Sequence, residues 1–569
     1  MPGILEQVKL NGNVLGDVED GGPVQPAELP VLIVGGGPTG LLSAYMLSKF
    51  GIKSLLIEKY PERLAAPKAH ALCPRSLEIC RQYGLDTNTM RKLGTPREDA
   101  NQVNFVTNLS GEHIGLLPYE RMDAGVLEHT PEMLHNIPQP AFEQFVAKEL
   151  EHDPNVEIRK NVAYITSRQV DDQVISTLEE RSTKTRWQAN LRPVVGERTG
   201  LLHWITDPAC PGFIIAYDLE ANHVLISNFN SKKHPADTWS QELAQTTVAA
   251  AIGQKVPFEI LSYRPWLLSR KVAKNYRQGN TFLVGDAAHS FPPTGGLGLN
   301  SGIADAHNLA YKIAAVHHGW ATSSILQTYE DDRRQIALVN SAQSVKNGKK
   351  IFSFLKTLGT AGIDDVEEAR RNLHKSIHDP DKQDMIAREV EGQREHFDNL
   401  GLHIGYVYGD KEAPPHASKF SPKFTPGGRL PHAWIKPRLG AVSCKMAPLD
   451  MSYVKEFHQH GINSRQFSTL DLVEFDSFTL IVSSHKTWAQ RVDKLYKLTQ
   501  LSGINLRLRS IDEDFDFVYE EQRKMYNDGS GILHGCGLLV RPDQHLLGRL
   551  DEKATAEDLA SLILAHVGK

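Results

Sequence analysis

No C-x-x-C pair occurs anywhere in the 569 residues. The five cysteines (Cys73, Cys80, Cys210, Cys444 and Cys536) are few, odd in number and scattered. That argues against a disulfide framework, a cysteine zinc site or a dithiol redox centre, and it fits a reducing compartment. No stretch approaches the roughly 18 continuous apolar residues of a membrane helix. Residues 1–30 have neither a basic start followed by an apolar run nor a small-residue cleavage site, so no secretory signal is expected. There is no block of one charge sign either: Lys+Arg number 63, Asp+Glu 68, and the net charge is −5. Nucleic acid is therefore not an expected partner. What remains is a soluble, cytoplasmic chain without a membrane span, long enough for two or three domains and a bulky cofactor.

Residues 1–28 read as a loose leader. An apolar strand is expected at 31–34, entered from Pro30, followed at once by a helix with Leu41, Leu42, Tyr45, Met46 and Leu47 at helical spacing. Gly51 is placed to end that helix before a second strand at 54–57, which makes a β-α-β unit. Short extended runs at 201–205, 213–217 and 223–229, separated by turn-like residues, predict an antiparallel sheet. A strand at 281–284 leads into a Gly/Pro-rich loop and a helix carrying Ile303, Ala306, Leu309, Ala310 and Ile313 on one side. The Pro-, Lys- and Gly-rich stretch 411–436 reads as a linker. Beyond it, strands expected at 470–475, 478–483, 504–509 and 537–540 alternate with helices and end in a helix at 556–566. The chain thus divides into a nucleotide-binding domain (29–190 and 265–410), an inserted substrate sheet (191–264), the linker and a small α/β domain (437–569).

Gly35-Gly36-Gly37-Pro38-Thr39-Gly40 fits G-x-G-x-x-G directly after a strand and at a helix start. Gly35 permits the tight turn, Gly37 lets the backbone approach a pyrophosphate, and Gly40 allows helix to pack on strand, with Pro38 and Thr39 opening the helix. Glu58 closes the second strand, where a carboxylate can accept hydrogen bonds from ribose hydroxyls, and Lys59 adjoins it. At this point FAD and NAD remain equally open.

A second motif decides between them: Gly285-Asp286-Ala287-Ala288-His289, then Pro292-Pro293 and Gly295-Gly296-Leu297-Gly298-Leu299-Asn300. Here the sequence resembles the group A FAD-dependent aromatic monooxygenases, the family of para-hydroxybenzoate hydroxylase and phenol hydroxylase, from about residue 30 to 343. The resemblance implies a Rossmann-like α/β domain binding FAD, with Asp286 on the ribityl chain and Gly285, Pro293, Gly296, Gly298, Leu299 and Asn300 around the flavin. It also places Gln139 at the flavin, and Lys68 where many relatives carry an arginine near the pyrophosphate. The C-terminal domain resembles the thioredoxin-like appendage of phenol hydroxylase relatives but lacks C-x-x-C. Cys536 is then a packing or oligomer contact, which leaves room for a homodimer.

The Asp-Gly segment that relatives carry between the two motifs is not found. The chain passes from 174–178 through the polar stretch 179–188 into Leu191-Arg192-Pro193. A deletion or an altered gene model would both read this way, and a flavin-binding but impaired chain is the alternative function. The implied reaction uses NADPH or NADH and O2 to hydroxylate a small aromatic substrate, a phenol or a polyketide of secondary metabolism, through a flavin C4a-hydroperoxide. A base near the phenol would help, because deprotonation raises the ring's electron density. His70 is the first candidate for it, titrating near neutrality, with Tyr217 and Tyr263 on expected substrate-side strands behind it. No metal is expected. A flavin halogenase is disfavoured because His203-Trp204-Ile205-Thr206 stands where W-x-W-x-I-P would be, and a NAD-dependent dehydrogenase leaves Asp286 to Asn300 unexplained.

Overall fold

The computed structural model describes residues 7–9, 27–60, 69–119, 121–170, 173–180, 188–189, 191–195, 198, 200–220, 222–227, 240–261, 263, 269–438, 440–441, 446–497 and 503–569. The nucleotide unit forms as its pattern requires. Strand Val31–Val34 leads into helix Pro38–Lys49 and strand Ser54–Glu58, which runs parallel to the first, and Val156–Lys160 adds a third parallel strand. Leu41, Leu42, Met46 and Leu47 are buried against Ile303, Ala306 and Ala310 of helix Leu297–His317. Each such large side chain contributes about 1.5–3 kcal/mol by leaving water. Gly51, at φ +73°, ends the first helix in the left-handed region that glycine adopts without strain.

Beside this unit lies a five-stranded sheet in the order Asn222–Ser227, Gly212–Asp218, Leu202–Ile205, Gln102–Val106, His113–Pro118. The three runs expected after residue 200 are all present, but the sheet differs from expectation in two respects. It takes two strands from 102–118, so a boundary at 191 divides it. It is also mixed, because Leu202–Ile205 enters alongside Gln102–Val106 in the same direction, Leu202 pairing with Val103 and Ile205 with Val106.

Three local expectations change as well. The leader is partly ordered: Gln7–Lys9 pairs antiparallel with residues 175–177 and parallel with Ala27–Glu28. It covers the outer edge of Gln173–Glu180, whose other edge pairs with Val162–Val170, as an open strand edge demands. Residues 181–187, where the absent Asp-Gly segment was sought, lie outside the described residues. The strand expected at 281–284 is confined to Thr281–Phe282, paired with Arg277–Gln278, because the chain turns at Gly285, φ +58°. Instead of a strand at 470–475 there is a 3-10 helix, Thr469–Leu472, fixed by a capping box between Ser468 and Asp471.

The C-terminal sheet runs Leu506–Ser510, Phe478–Val482, Gly537–Val540, Leu546–Leu550, with only the first pair parallel. Helices His485–Leu495 and Ala556–Val567 bury Trp488, Leu559 and Ile563 against it. Its seam with the nucleotide domain is polar and closed. Helix Pro74–Gln82 is buried along its whole length. Arg75 donates to Gln544 Oε1 (2.7 Å) and the Asp543 carbonyl (2.8 Å). Arg81 forks onto Asp471 at 2.9 and 3.0 Å. Arg541 donates to Asp543 and Asp332, and Lys312 also reaches Asp332 at 2.8 Å. Cys73, Cys80, Cys210 and Cys536 are buried and unbridged, and Cys444 lies outside the described residues. Among the described residues no helix is long and apolar enough to cross a membrane.

Candidate active site

The two glycine motifs, some 250 residues apart in the chain, meet around Thr39. A Cβ added at Gly302 would stand 2.5 Å from Thr39 Oγ1, and one at Gly285 would stand 2.9 Å from it. A Cβ at Gly40 would stand 2.0 Å from the Gly35 carbonyl oxygen, so only glycine lets the helix seat there. At Gly37 and Gly298 an added Cβ would meet nothing within 4 Å, so backbone faces open space at both helix starts. Neither Pro38–Lys49 nor Leu297–His317 has a side-chain N-cap or an acidic residue in its first turn. Two helix N-termini with uncommitted N–H groups and partial positive charge therefore bound the space beside the fingerprint, an arrangement suited to a pyrophosphate and to an electron-rich ring carbonyl.

Glu58 stands at that rim. Its carboxylate accepts from the Gly36 N–H at 2.8 Å and the Tyr60 N–H at 3.0 Å, which holds it against the glycine loop. Lys59 is exposed, with Nζ 5.0 Å from the Tyr60 ring centre. Lys68 lies outside the described residues. Asp286 sits in the 3-10 turn Gly285–Ala287, exposed and without a protein partner among the described residues. Behind it Asp305 is buried, accepting from the Gly285 N–H (3.2 Å), His289 Nε2 (2.8 Å) and Arg333 Nε (2.7 Å). Burial works to raise the Asp305 pKa, but the adjacent Arg333 and His289 hold it below the ordinary carboxylate value. Asp305, which sequence reasoning passed over, thus fixes the loop that presents Asp286.

Pro293 accepts from the Gly296 N–H at 3.0 Å, closing the turn that enters the second helix, and Leu299 packs into the nucleotide-domain core. The Asn300 side chain serves the interior: it accepts from Cys73 N–H and Ser76 Oγ and donates to the carbonyls of Ala71 and Gly296. All four hydrogen-bonding positions of its amide are thereby occupied. Gln139, at its helix start, donates to Glu143 at 2.7 Å.

Next to the second glycine loop stands a buried aromatic wall. Phe105, Trp204 and Phe397 pack edge to face, with centroids 5.2 Å apart for Phe105–Trp204 and 5.5 Å for Trp204–Phe397. Tyr119 adjoins Phe397, and the His70 ring stacks on Tyr119 at 6.4 Å. The wall is tied to the loop by Asn399, whose Nδ2 donates to the Gly295 carbonyl at 3.3 Å. Between Phe397 and Asn399 stands Asp398, buried, with its pKa pushed up to about 6 by burial against the pull of Arg121. No local motif announced Asp398, because its significance comes only from this junction.

The three residues expected as candidate bases stand as follows. His70 donates Nδ1–H to Asn136 Oδ1 at 3.0 Å, since a carboxamide oxygen can only accept. Burial lowers its pKa to about 4, so it is neutral near pH 7 and does not titrate there. Tyr263 is 42 % exposed and lies on no strand. Tyr217 lies on strand Gly212–Asp218, and its side chain is outside the described residues.

Helix Thr328–Thr357 runs past the loop, where Asn347 Nδ2 would meet a Gly295 Cβ at 3.1 Å. Close by on the same helix, Lys346, Lys349 and Lys350 line, with Arg270, an open groove of about 450 Å³.

Fold and site together define a flavin-dinucleotide protein with a buried aromatic cluster beside its second glycine loop. The family described as FAD binding domain matches residues 28–196 and 179–344, more than half of the chain, and the chain belongs to that family. The two matched stretches overlap at residues 179–196. Among curated relatives, 2,4-dichlorophenol 6-monooxygenase of Cupriavidus pinatubonensis is 24% identical, over 95% of this chain and 97% of that protein. Tetracenomycin A2 monooxygenase-dioxygenase of Streptomyces glaucescens is 27% identical over 93% and 95%. The flavin-dependent monooxygenase PieE, solved with FAD and substrate, shares the fold at a TM-score of 0.80 and 21% identity, over 95% of this chain and 99% of that one. Aklavinone-11 hydroxylase, solved with FAD and aklavinone, does so at 0.72 and 20%, over 95% and 99%.

Proposed function

We propose that this chain is an FAD-dependent aromatic monooxygenase that hydroxylates a phenolic or polyketide-type ring with NAD(P)H and O2. The observation that carries the reading is the junction at residues 397–399, which joins an aromatic wall and a buried carboxyl to the flavin loop. The relatives act on such rings by name, and the alternative of a catalytically impaired chain gains no support from them.

Bound FAD would supply the redox chemistry, accepting a hydride from the nicotinamide and activating oxygen for insertion into the ring. The protein's part is to position and protect. The two helix starts and Gly37 and Gly298 hold the pyrophosphate and ring, while Asp286 and Glu58 accept hydrogen bonds from ribityl and ribose hydroxyls. Phe105, Trp204 and Phe397 bind the aromatic substrate and exclude water from the reacting carbon. Asp398, ionised above about pH 6, takes the phenolic proton and makes the ring carbon more electron-rich. In the groove, Lys349 and Arg270, beside Lys346 and Lys350 that pair with Glu395, suit the phosphates of the nicotinamide cofactor.

The test is mass spectrometry of products from a panel of phenols and aromatic polyketides, with NADPH and 18O-labelled oxygen. One labelled oxygen atom per product ring is expected. NADPH consumption that yields only peroxide across the whole panel would refute the reading.

A further inference from the structure

Away from the flavin site, the turn joining Gln102–Val106 to His113–Pro118 carries Glu112 at its end. The turn is rigid, since the Thr107 N–H donates to the Glu112 carbonyl at 3.0 Å and the Glu112 N–H donates to Thr107 Oγ1 at 2.9 Å. Opposite it lies the last turn of helix Val366–Ile377 with its C-cap, His378. That helix is held in register from two sides: Ala369 and Leu373 are buried, and Arg370 forks onto Asp207 with both bonds at 3.1 Å. Residues 374 and 378 are spaced i, i+4, so two imidazoles project from one face toward one carboxylate. His374 Nδ1 stands 2.9 Å from Glu112 Oε1, and His378 Nε2 stands 2.8 Å from Glu112 Oε2.

We infer that Glu112, His374 and His378 form a binding site for one divalent transition-metal ion of the zinc class, stapling the helix to the edge of the substrate sheet. The three ligand atoms lie within 4.8 Å of one another. Zinc bonds to nitrogen and oxygen are about 2.0–2.2 Å long, so tetrahedral ligand atoms sit roughly 3.3–3.5 Å apart; the two His–Glu contacts open by about half an ångström and the widest separation closes by up to about 1.5 Å, which rotation of these exposed side chains supplies. In the bound form His374 carries its proton on Nε2 and His378 on Nδ1, with water filling the fourth position. Two imidazoles and one carboxylate select zinc, nickel, cobalt or copper over magnesium and calcium, which prefer all-oxygen sites. All three side chains are solvent-accessible, at 61%, 66% and 38% for His374, His378 and Glu112, so an ion can enter. The scarcity of cysteine, which argues against a thiolate site, says nothing about this one.

The test uses the full-length, flavin-loaded protein with any affinity tag removed and metals stripped by EDTA. Equilibrium dialysis against zinc chloride, with metal counted by mass spectrometry, should give one zinc per chain at micromolar free zinc, with a rise in Tm. Magnesium at the same concentration should do neither. His374→Ala/His378→Ala should weaken binding by more than the 10–100-fold typical when a residue that merely supports a ligand is lost, and Glu112→Gln should weaken it while leaving both imidazoles in place. Flavin content and zinc-free Tm should stay at wild-type values in both variants, since the residues are exposed and outside the flavin site. Absence of zinc binding up to millimolar concentration would overturn the inference and leave the cluster as His–Glu hydrogen bonds. Unchanged stoichiometry and affinity in both variants would equally overturn it.

Discussion

Two polar regions of this molecule, both rich in carboxylates, are built on opposite principles. At the seam between the nucleotide and C-terminal domains the charged groups pair with one another: Asp543 is buried and accepts from Arg541 and Asn308, and Arg75, Arg81 and Lys312 each find acceptors. At the flavin site the groups are presented instead. Asp286 is exposed without a partner among the described residues, and two helix starts lack caps. Folding tolerates unmatched groups only where water or a ligand satisfies them. The paired region fits a structural role, and the unpaired one is where we propose the flavin binds.

The sharpest way to break this contrast is to remove one carboxylate from each region. Asp543→Ala leaves Arg541 and Asn308 short of an acceptor in a dry seam, and losing one partner of a buried pair costs about 3–5 kcal/mol. A large fall in the denaturation midpoint is expected in urea titrations of flavin-loaded protein, without a specific loss of flavin affinity in the chains that remain folded. A midpoint within error of wild type would remove the seam from the stability account.

Asp398→Asn probes the one carboxyl that belongs to both categories, buried yet poorly matched. If it is the base, stopped-flow should show hydroxylation slowed by about 100-fold with flavin reduction nearly unchanged. The wild-type limb near pH 6 should be absent from the variant. Stability should move the other way. The folded pKa of about 6 exceeds the ordinary aspartate value of 3.8, so native protein binds the proton more tightly and wild-type stability falls as pH rises from about 4 through 6. The variant escapes that loss and should gain at most about 3 kcal/mol at pH 7. A slower enzyme with no gain in stability would separate the two roles.

Asp286→Ala should cost about 1.5–3 kcal/mol of FAD affinity, read by flavin titration of apoprotein, and leave the Tm of that apoprotein unchanged because no described residue depends on the side chain. A lowered apoprotein Tm would show that Asp286 is structural after all. The smallest expected effect is that of Lys349→Glu: a roughly five-fold rise in KM for NADPH, as befits one exposed charge, with the KM for the aromatic substrate constant.

The β-α-β unit and both glycine motifs were legible because they are local. Gly40 must be glycine to clear the Gly35 carbonyl, and a backbone demand of that kind is written into a few adjacent residues. The helix Leu297–His317 and the runs after residue 200 likewise follow from short-range periodicity. The aromatic cluster was not legible, since Phe105 and Trp204 meet only through a parallel pairing between distant strands, and Asp398 acquires its raised pKa from a fold-dependent burial. His70 shows the converse: an imidazole in a matching register suggested a neutral-range titration that desolvation removes. Asn300 belongs to a flavin motif, yet its amide bonds inward to residues 71–76.

Helix Pro74–Gln82 also sets a schedule for the ribosome. Arg81 finds its carboxylate 390 residues later, and Arg75, which has Glu78 at 3.1 Å in its own helix, finds its second acceptor 469 residues later. At synthesis rates of about 5–20 residues per second, the helix waits on the order of tens of seconds before these distant partners exist. Throughout that interval the helix cannot be dehydrated without stranding its guanidinium groups, so the nucleotide domain emerges with a wet, unfinished face. Chaperone demand and proteolytic vulnerability should therefore concentrate on the nascent chain before residues 541–545 are made, and diminish once that loop closes the seam.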